Sequence, residues 1–150
     1  MGDVRGGLQF TYISLDDYRI VKSKVLGDGR YTLKERGAVP CSVFLNPPFS
    51  RVSLSEKEAR KKGYKVRVAR LAAAAIPKAQ VLEQPAGRLK AVIDEETSLI
   101  LGAHLFCEES YELINMIKLA MDTKVHYGVL RDAVYTHPTM SEGFNDLFAN

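Results

Sequence analysis

Apolar residues with helical spacing occur near the start of the chain. Between residues 14 and 26 they lie three or four positions apart, at Leu15, Tyr18, Val21, Val25 and Leu26. Because positions three and four apart share one helix face, the spacing predicts a helix over 14–26 that ends before Gly27. Asp16 and Asp17 are then expected in its first turn, where negative charge is favourable beside the helix dipole.

Three more helices are predicted in the last third of the chain. The clearest covers 110–122, a short one covers 127–133, and the last begins at about Met140. The apolar face of the clearest helix contains Leu113, Ile114, Ile117, Ala120 and Met121. The corresponding face of the last helix contains Phe144, Leu147 and Phe148.

The middle of the chain shows the patterns typical of strands. Strands are predicted over 39–45, 50–54 and 64–70, followed by a hairpin whose strands are 87–94 and 99–106. Between the second and third strands, a serine and a glutamate with capping-box spacing predict a short helix: Ser55 and Glu58. Without βαβ units or repeats, this order predicts an α+β fold, an antiparallel sheet covered by helices on one face.

Composition and charge are those of an ordinary globular domain. The 150 residues are 46% apolar and 26% charged, with a net charge of +3, which does not favour nucleic acid as a partner. Basic residues over 57–70 alternate with acidic and apolar ones, as on a solvated face. The longest apolar run, Leu71–Pro77, is far shorter than the roughly 20 residues that span a bilayer. The first seven residues lack a secretory signal, so a cytoplasmic protein without membrane contact is expected.

The cysteines and histidines do not predict a metal site. Cys41 and Cys107 lie 66 positions apart, without a C-x-x-C pair, and are expected to be reduced thiols. His104 lies in the predicted hairpin and is expected to be structural. It has no metal-ligand spacing with Cys107, His126 or His137, so no metal is expected.

The segment 135–142 contains the strongest candidate for chemistry. Pro138 favours extended backbone at His137, and Thr139 and Glu142 have capping-box spacing, which makes Thr139 the expected N-cap. Glu142 could also fold back to the imidazole and form a histidine–carboxylate pair, a common general-base unit. By spacing alone, the alternative remains that Glu142 completes only a capping box and His137 is an ordinary loop residue.

The motif His137-Pro138-Thr139-x-x-Glu142 resembles the C-terminal signature of the dihydrolipoamide dehydrogenase, glutathione reductase and mercuric reductase family. The resemblance extends over nearly the whole chain. It includes Val39-Pro40, Asn46-Pro47, Val52-x-Leu54-Ser55-Glu56-x-x-Ala59, Leu89-Lys90-x-x-Ile93-Asp94 and Ile100-Leu101-Gly102-Ala103-His104. The chain departs from the family pattern where Pro48 replaces its glutamate and Ser53 its glycine.

Near the start, Gly2-Asp3-Val4 resembles the end of the family's flavin-binding motif. The resemblance implies that Asp3 hydrogen-bonds the ribityl chain of FAD, and that the main-chain amide of Thr11 meets the pyrimidine edge of the flavin. The helix that follows, over 9–17, is similar to a bacterial branch linked to reactive chlorine resistance, which includes hypothiocyanous acid reductases.

The family resemblance also implies a domain organisation. Residues 1–37 would be the tail of the FAD-binding domain, and residues 38–150 would be the dimerisation domain. The chain has no G-x-G-x-x-G loop and no C-x-x-x-x-C pair, so it is expected to be a fragment or a truncated product. Alone, it is expected to bind neither FAD nor NAD(P)H and to show no turnover.

In the full-length protein, the resemblance implies a symmetric homodimer that reduces a disulfide or a small reactive oxidant with NAD(P)H and FAD. His137 would be the acid/base for the redox dithiol of the partner subunit, and Glu142 would orient its ring. The alternative from another class is a stand-alone homodimerisation or scaffold module without catalysis. Some aromatic and aliphatic side chains are expected to be exposed in a monomer, among Tyr12, Tyr18, Phe144, Leu147 and Phe148.

Overall fold

The computed structural model describes residues 1–150, and the chain divides into two compact units, 1–37 and 38–150. The first unit contains the short 3₁₀ helix Gly2–Arg5, here called the N-terminal turn, and helix α1, Thr11–Leu26. The remaining residues of this unit, up to Gly37, contain no helix or strand. No helix in the chain has both the length and the apolar character needed to cross a membrane.

Helix α1 starts three residues before the predicted position, and this changes the role of its carboxylates. The amides of Ile13 and Ser14 both donate to the carbonyl of Phe10, which is the N-cap. Asp16 and Asp17 therefore lie beyond the first turn, so the predicted pairing with the helix dipole is wrong. Both carboxylates are instead buried, while the apolar residues of the predicted stripe are exposed: Leu15, Tyr18, Val21, Val25 and Leu26.

The second unit is built on a five-stranded antiparallel sheet, which confirms the predicted α+β class. The spatial order is β1-β2-β5-β4-β3. The strands are β1 Pro40–Val43, β2 Phe49–Ser53, β3 Val66–Ala72, β4 Arg88–Asp94 and β5 Ile100–Phe106. β4 and β5 pair as the predicted hairpin, with a bulge between Val92 and Ile93.

Five helices and a 3₁₀ turn complete the second unit. They are α2 Glu56–Lys61, the 3₁₀ turn Ala73–Ala75, α3 Pro77–Val81, α4 Ser110–Asp122, α5 Tyr127–Asp132 and α6 Gly143–Ala149. α2 begins with the predicted capping box, and α4 has the predicted bounds. The 3₁₀ turn and α3 were not predicted, because their run of alanines with Ile76 is apolar without a helical period.

The main core lies between one face of the sheet and helices α4 and α6. Of the apolar side chains among which some were expected to be exposed in a monomer, Phe144, Leu147 and Phe148 of α6 have 0% of their surface exposed. They are buried within the subunit, where α6 packs on β3 and β4. Tyr12 and Tyr18 are 43% and 47% exposed, as expected.

The opposite face of the sheet is covered only at one end. Helix α2 lies there, and its Ala59 packs with Val66 and Val92 in a second, smaller apolar cluster. The sheet therefore has helices on both faces, although most of the helical cover is on one, as predicted. The C-terminal helix α6 closes the main core and fixes the end of the segment that contains His137.

Candidate functional site

His137 lies in the segment 133–142 between α5 and α6, here called the His137 loop. Asn145 of α6 ties the start of the loop to its end, since its side-chain amide donates to the carbonyls of Arg131 and Ala133 at 2.6 and 3.0 Å. The hydroxyl of Tyr135 donates to the carbonyl of Leu130 at 2.8 Å. The loop therefore leaves α5 and enters α6 along a path fixed by hydrogen bonds.

The structure brings His137 and Glu142 together. The Nδ1 atom of His137 lies 2.8 Å from Oε2 of Glu142. The imidazole is 68% exposed, whereas the glutamate side chain is 17% exposed. The carboxylate thus orients the ring from the protein side and leaves the other edge of the imidazole to solvent.

The second oxygen of Glu142 takes part in the loop itself. Oε1 accepts a hydrogen bond from the main-chain amide of Thr139 at 2.9 Å. The two roles considered for Glu142, one structural and one directed at the imidazole, therefore coexist, because a carboxylate has an oxygen for each.

The expectation that Thr139 is the N-cap of the last helix is wrong. α6 starts at Gly143 with Glu142 as its N-cap and no side-chain capping bond. The Thr139 hydroxyl is used within the loop instead, where it donates to the carbonyl of Thr136 at 2.7 Å. Successive tight turns, with amides 143–145 donating three residues back, lead from the loop into the helix.

Gly143 allows the end of the loop to approach the core closely. A Cβ atom at this position would lie 2.7 Å from Cδ1 and 2.9 Å from Cγ1 of Ile76, which is itself fully buried. Side-chain carbons do not approach this closely without displacing a neighbour. The backbone next to Glu142 is therefore seated directly on the core, which limits the movement of its carboxylate.

The electrostatics of the pair favour one protonation pattern. The hydrogen bond from His137, and then that from the Thr139 amide, lowers the pKa of Glu142 below its ordinary value. An ionised carboxylate only accepts hydrogen bonds, so the ring nitrogen that faces it must be a donor. With Nδ1 protonated, the neutral ring has its free lone pair on Nε2, where it can take up a proton.

The residues expected at the flavin lie in the first unit. Asp3 is in the N-terminal turn, is exposed, and its carboxylate accepts no hydrogen bond from the chain. Thr11 is the first residue of α1, so its amide lies outside the hydrogen-bond ladder of that helix. A free carboxylate suits a ligand hydroxyl, and a helix start suits a partly negative ligand atom, so both fit the expected contacts with FAD.

Sequence reasoning missed a group of buried charges in the first unit, here called the Arg36 cluster, which comprises Asp16, Asp17 and Arg36. The guanidinium donates from Nε to Oδ2 of Asp16 at 2.6 Å and from Nη2 to Oδ1 of Asp17. Asp16 also accepts from the Tyr31 hydroxyl at 2.7 Å, which raises the pKa of that tyrosine. The one sequence signal was an adjacent pair of aspartates in a helix whose other charged residues are all basic: Arg19, Lys22 and Lys24.

The remaining candidates show no sign of chemistry. Cys107 is fully buried, and burial, followed by the charges of Glu108 and Glu109, raises its pKa to about 12. A thiol with such a pKa is a poor nucleophile at neutral pH. Cys41 is partly buried and unpaired. No three His, Cys, Asp or Glu side chains converge as a group that could hold a metal.

Residues 39–148 match the family described as pyridine nucleotide-disulphide oxidoreductase, dimerisation domain. The match covers most of the chain, and the five-stranded sheet is the fold of its relatives. The chain belongs to this family.

Sequence identities with individual proteins show where in this family the chain lies. Over 149 residues the chain is 52% identical to the probable pyridine nucleotide-disulfide oxidoreductase RclA of Escherichia coli K12, which confirms the similarity to the reactive-chlorine branch. It is 32% identical over 148 residues to the dihydrolipoyl dehydrogenase of Mycobacterium tuberculosis H37Rv, and 33% identical over 142 residues to a mercuric reductase of Staphylococcus aureus. These alignments cover 99%, 99% and 95% of this chain, and 34%, 32% and 26% of the respective relatives.

Solved structures of two such proteins have the same fold as this chain. A structure of the HOCl-induced flavoprotein disulfide reductase RclA from E. coli superposes with a TM-score of 0.96, over 99% of this chain and 34% of that one. LpdA from M. tuberculosis, 21% identical, shares the fold with a TM-score of 0.88 over 99% of this chain and 32% of LpdA. The chain thus spans about a third of the length of these proteins.

Proposed function

We propose that this chain is the C-terminal part of an FAD- and NAD(P)H-dependent disulfide oxidoreductase, in which it joins two subunits. We further propose that His137 is the acid/base for the redox dithiol of the partner subunit and that Glu142 orients its ring. The observation that carries the proposal is the His137 geometry, with Nδ1 on Glu142 at 2.8 Å and the far edge of the ring exposed.

This arrangement suits thiol chemistry. A thiol becomes a nucleophile only as the thiolate, so a neighbouring base is needed to accept its proton. With Nδ1 donating to Glu142, Nε2 can accept that proton, and the carboxylate then stabilises the imidazolium that forms. In the later reverse step, the same Nε2 would return the proton to a leaving thiolate.

Pairing of subunits is supported by apolar side chains that the second unit leaves uncovered. Leu119 on α4 is 63% exposed, and Val129 on α5 and Val134 in the His137 loop are 60% and 99% exposed. These residues lie on consecutive elements of the chain, and we propose that they belong to one surface that meets another protein, as contiguous exposed apolar patches do. A symmetric homodimer would bury the same patch on both subunits.

For the flavin we propose Asp3 and Thr11 as contacts, the former with the ribityl chain and the latter, through its main-chain amide, with the pyrimidine edge. When bound, FAD would supply the redox chemistry. The electron acceptor that we propose is a disulfide or a small reactive oxidant, in line with the HOCl-induced relative from E. coli. The isolated chain is expected to bind neither cofactor, and the cytoplasmic location stays a prediction.

A complementation experiment tests whether His137 acts on the partner subunit. One full-length subunit carries His137→Ala, and the other has its redox cysteines replaced by serine. Each homodimer should be inactive or slowed by roughly 100-fold or more, which is the usual contribution of a general acid/base. In the mixed dimer, one of the two sites regains both groups, so about half of the activity per dimer should return.

The outcomes separate the possibilities. If the mixed dimer stays inactive although light scattering shows that it forms, His137 does not serve the partner subunit. If His137→Ala turns over at the wild-type rate, it is not the acid/base. A matched control is His126→Ala, which alters another histidine near the start of α5 and should leave turnover unchanged.

A further inference from the structure

We propose that Asp17, held by Arg36, is a positioning residue that fixes the N-terminal turn and thereby directs Asp3 toward the flavin. The inference rests on the proposed contact between Asp3 and FAD. The buried charges of the first unit would then serve to position an exposed residue that contacts the flavin.

The Asp17 carboxylate contacts the turn on both sides of Asp3. Its Oδ2 accepts a hydrogen bond from the amide of Gly2 at 2.8 Å. Its Oδ1 lies 3.6 Å from Nη1 of Arg5, at the other end of the turn. Asp3 thus lies between two residues that contact the same carboxylate, so the position of that carboxylate constrains the chain on both sides of Asp3.

Arg36 determines where the carboxylate is placed. Asp17 is only 5% exposed, and a buried carboxylate is costly unless it is paired and hydrogen-bonded. Arg36 supplies the pairing through its Nη2, and its own side chain is only 15% exposed. The hydrogen bond from Arg36, followed by that from the Gly2 amide, lowers the pKa of Asp17, so the group stays ionised at neutral pH.

The contact between the turn and α1 is close. Gly2 has a positive φ of 73°, and a Cβ atom there would lie 3.2 Å from Oγ of Ser14 on α1. A residue other than glycine would therefore be strained and crowded at this position. Because residue 2 is glycine, the N-terminal turn can approach α1 closely enough for the Gly2 amide to donate to the Asp17 carboxylate.

The neighbouring aspartate provides a matched control. Asp16 is buried to a similar degree, at 8% exposure, and is bound to the same guanidinium. Its other partner is the hydroxyl of Tyr31, and it makes no hydrogen bond to the N-terminal turn. A purely structural role would make the two carboxylates equivalent, whereas a positioning role makes only Asp17 important for FAD.

The test uses the full-length flavoprotein with Asp17→Asn and Asp16→Asn. The Gly2 amide and Arg36 donate to different oxygens of Asp17, whereas an asparagine has only one oxygen, so its NH₂ group would face one of the two donors. Asp17→Asn should weaken FAD binding about tenfold, the effect of losing one charge-assisted hydrogen bond, and Asp16→Asn by no more than about twofold. The readout is the FAD dissociation constant, measured by the recovery of flavin fluorescence on dilution.

A double-mutant cycle identifies Asp3 as the residue through which Asp17 acts. If Asp17 only positions Asp3, then Asp17→Asn should have little further effect on FAD binding once Asp3→Ala is present. Independent effects that multiply would overturn the inference. If Asp16→Asn and Asp17→Asn weaken FAD equally, the cluster is merely structural and the inference is wrong.

The measurements also distinguish failure of the proposed Asp3–FAD contact from failure of the positioning role of Asp17. If Asp3→Ala leaves FAD affinity unchanged, the flavin contact itself is wrong, and the inference falls with it. If Asp17→Asn does not fold, Asp17→Glu retains the charge and both oxygens but displaces them by about one methylene, and Asp16→Glu is its control. Weaker FAD binding for Asp17→Glu alone supports positioning, and equal binding by the two variants overturns it.

Discussion

Replacement of Glu142 by glutamine should move the proton on the His137 ring without removing the side chain that orients it. The Thr139 amide donates to Oε1 of Glu142 at 2.9 Å, so the single oxygen of a glutamine is expected to remain there. The NH₂ group of the glutamine then faces Nδ1 of His137 and can only donate. Nδ1 must become the acceptor, and the proton of the neutral ring moves to Nε2.

The expected size of the tautomer shift depends on how far the His137 imidazole is exposed to water. A hydrogen bond to a charged group contributes about 1.5–3 kcal/mol when shielded from water, and an exposed ion pair contributes about 0.2–1 kcal/mol. Since the imidazole is 68% exposed, we take a value of about 1 kcal/mol. This corresponds to a roughly fivefold change in the ratio of the two tautomers. In the full-length protein, the exposed acceptor nitrogen would then be lost although the chain still folds.

The assay is nitrogen NMR of this chain with labelled histidine, at alkaline pH where the ring is neutral. The wild-type chain should have Nδ1–H as the main form of His137, and the Glu142→Gln variant should show a roughly fivefold shift toward Nε2–H. The Thr139 amide signal should be retained in Glu142→Gln and displaced in Glu142→Ala, which removes its acceptor. The same tautomer ratio in wild type and Glu142→Gln would refute the reasoning.

Three further outcomes are expected. Because folding lowers the pKa of Glu142 below 4.5, the ionised carboxylate stabilises the folded chain fully above that pH, and this stabilisation is lost as the pH falls through the lowered value. In urea unfolding, the difference in unfolding free energy between wild type and Glu142→Gln should therefore shrink below pH 4.5. A difference that stays constant with pH would contradict this. Gly143→Ala should destabilise the fold by about 1–3 kcal/mol, although alanine gains up to about 1 kcal/mol in helix propensity. In a double-mutant cycle, Ile76→Val should offset part of this loss. A Gly143→Ala variant more stable than wild type would disprove the close contact. Cys107 should resist a thiol reagent until the chain unfolds, while Cys41 reacts in the folded state; equal rates would contradict the burial of Cys107.

Several elements were predictable because short-range patterns determine them. The capping box of Ser55 and Glu58 needs only four consecutive residues, and it is formed as predicted. Helix α4 has an apolar face of regular period, and its predicted bounds 110–122 are those observed. The β4–β5 hairpin joins neighbours along the chain, so its pairing also depends on local sequence.

The candidate site was predictable only in part. The spacing of His137 and Glu142 allowed their contact, but it also allowed a simple capping box, and a carboxylate can serve both partners at once. Thr139 had the residue type of an N-cap, yet its hydroxyl donates to Thr136 inside the loop. A choice among such partners depends on the path of the whole loop, which Asn145 and the close approach of Gly143 determine.

By itself, the sequence determined the fold class, most of the helices and strands, and the resemblance from which the acid/base pair was expected. Periodicity and capping act over a few residues and can be read along the chain. The tertiary structure decided that Phe144 and Phe148 are buried within the subunit, and that Asp17 meets Arg36 rather than the helix dipole. These contacts join residues that are distant in sequence, and only the packing of the folded chain brings them together.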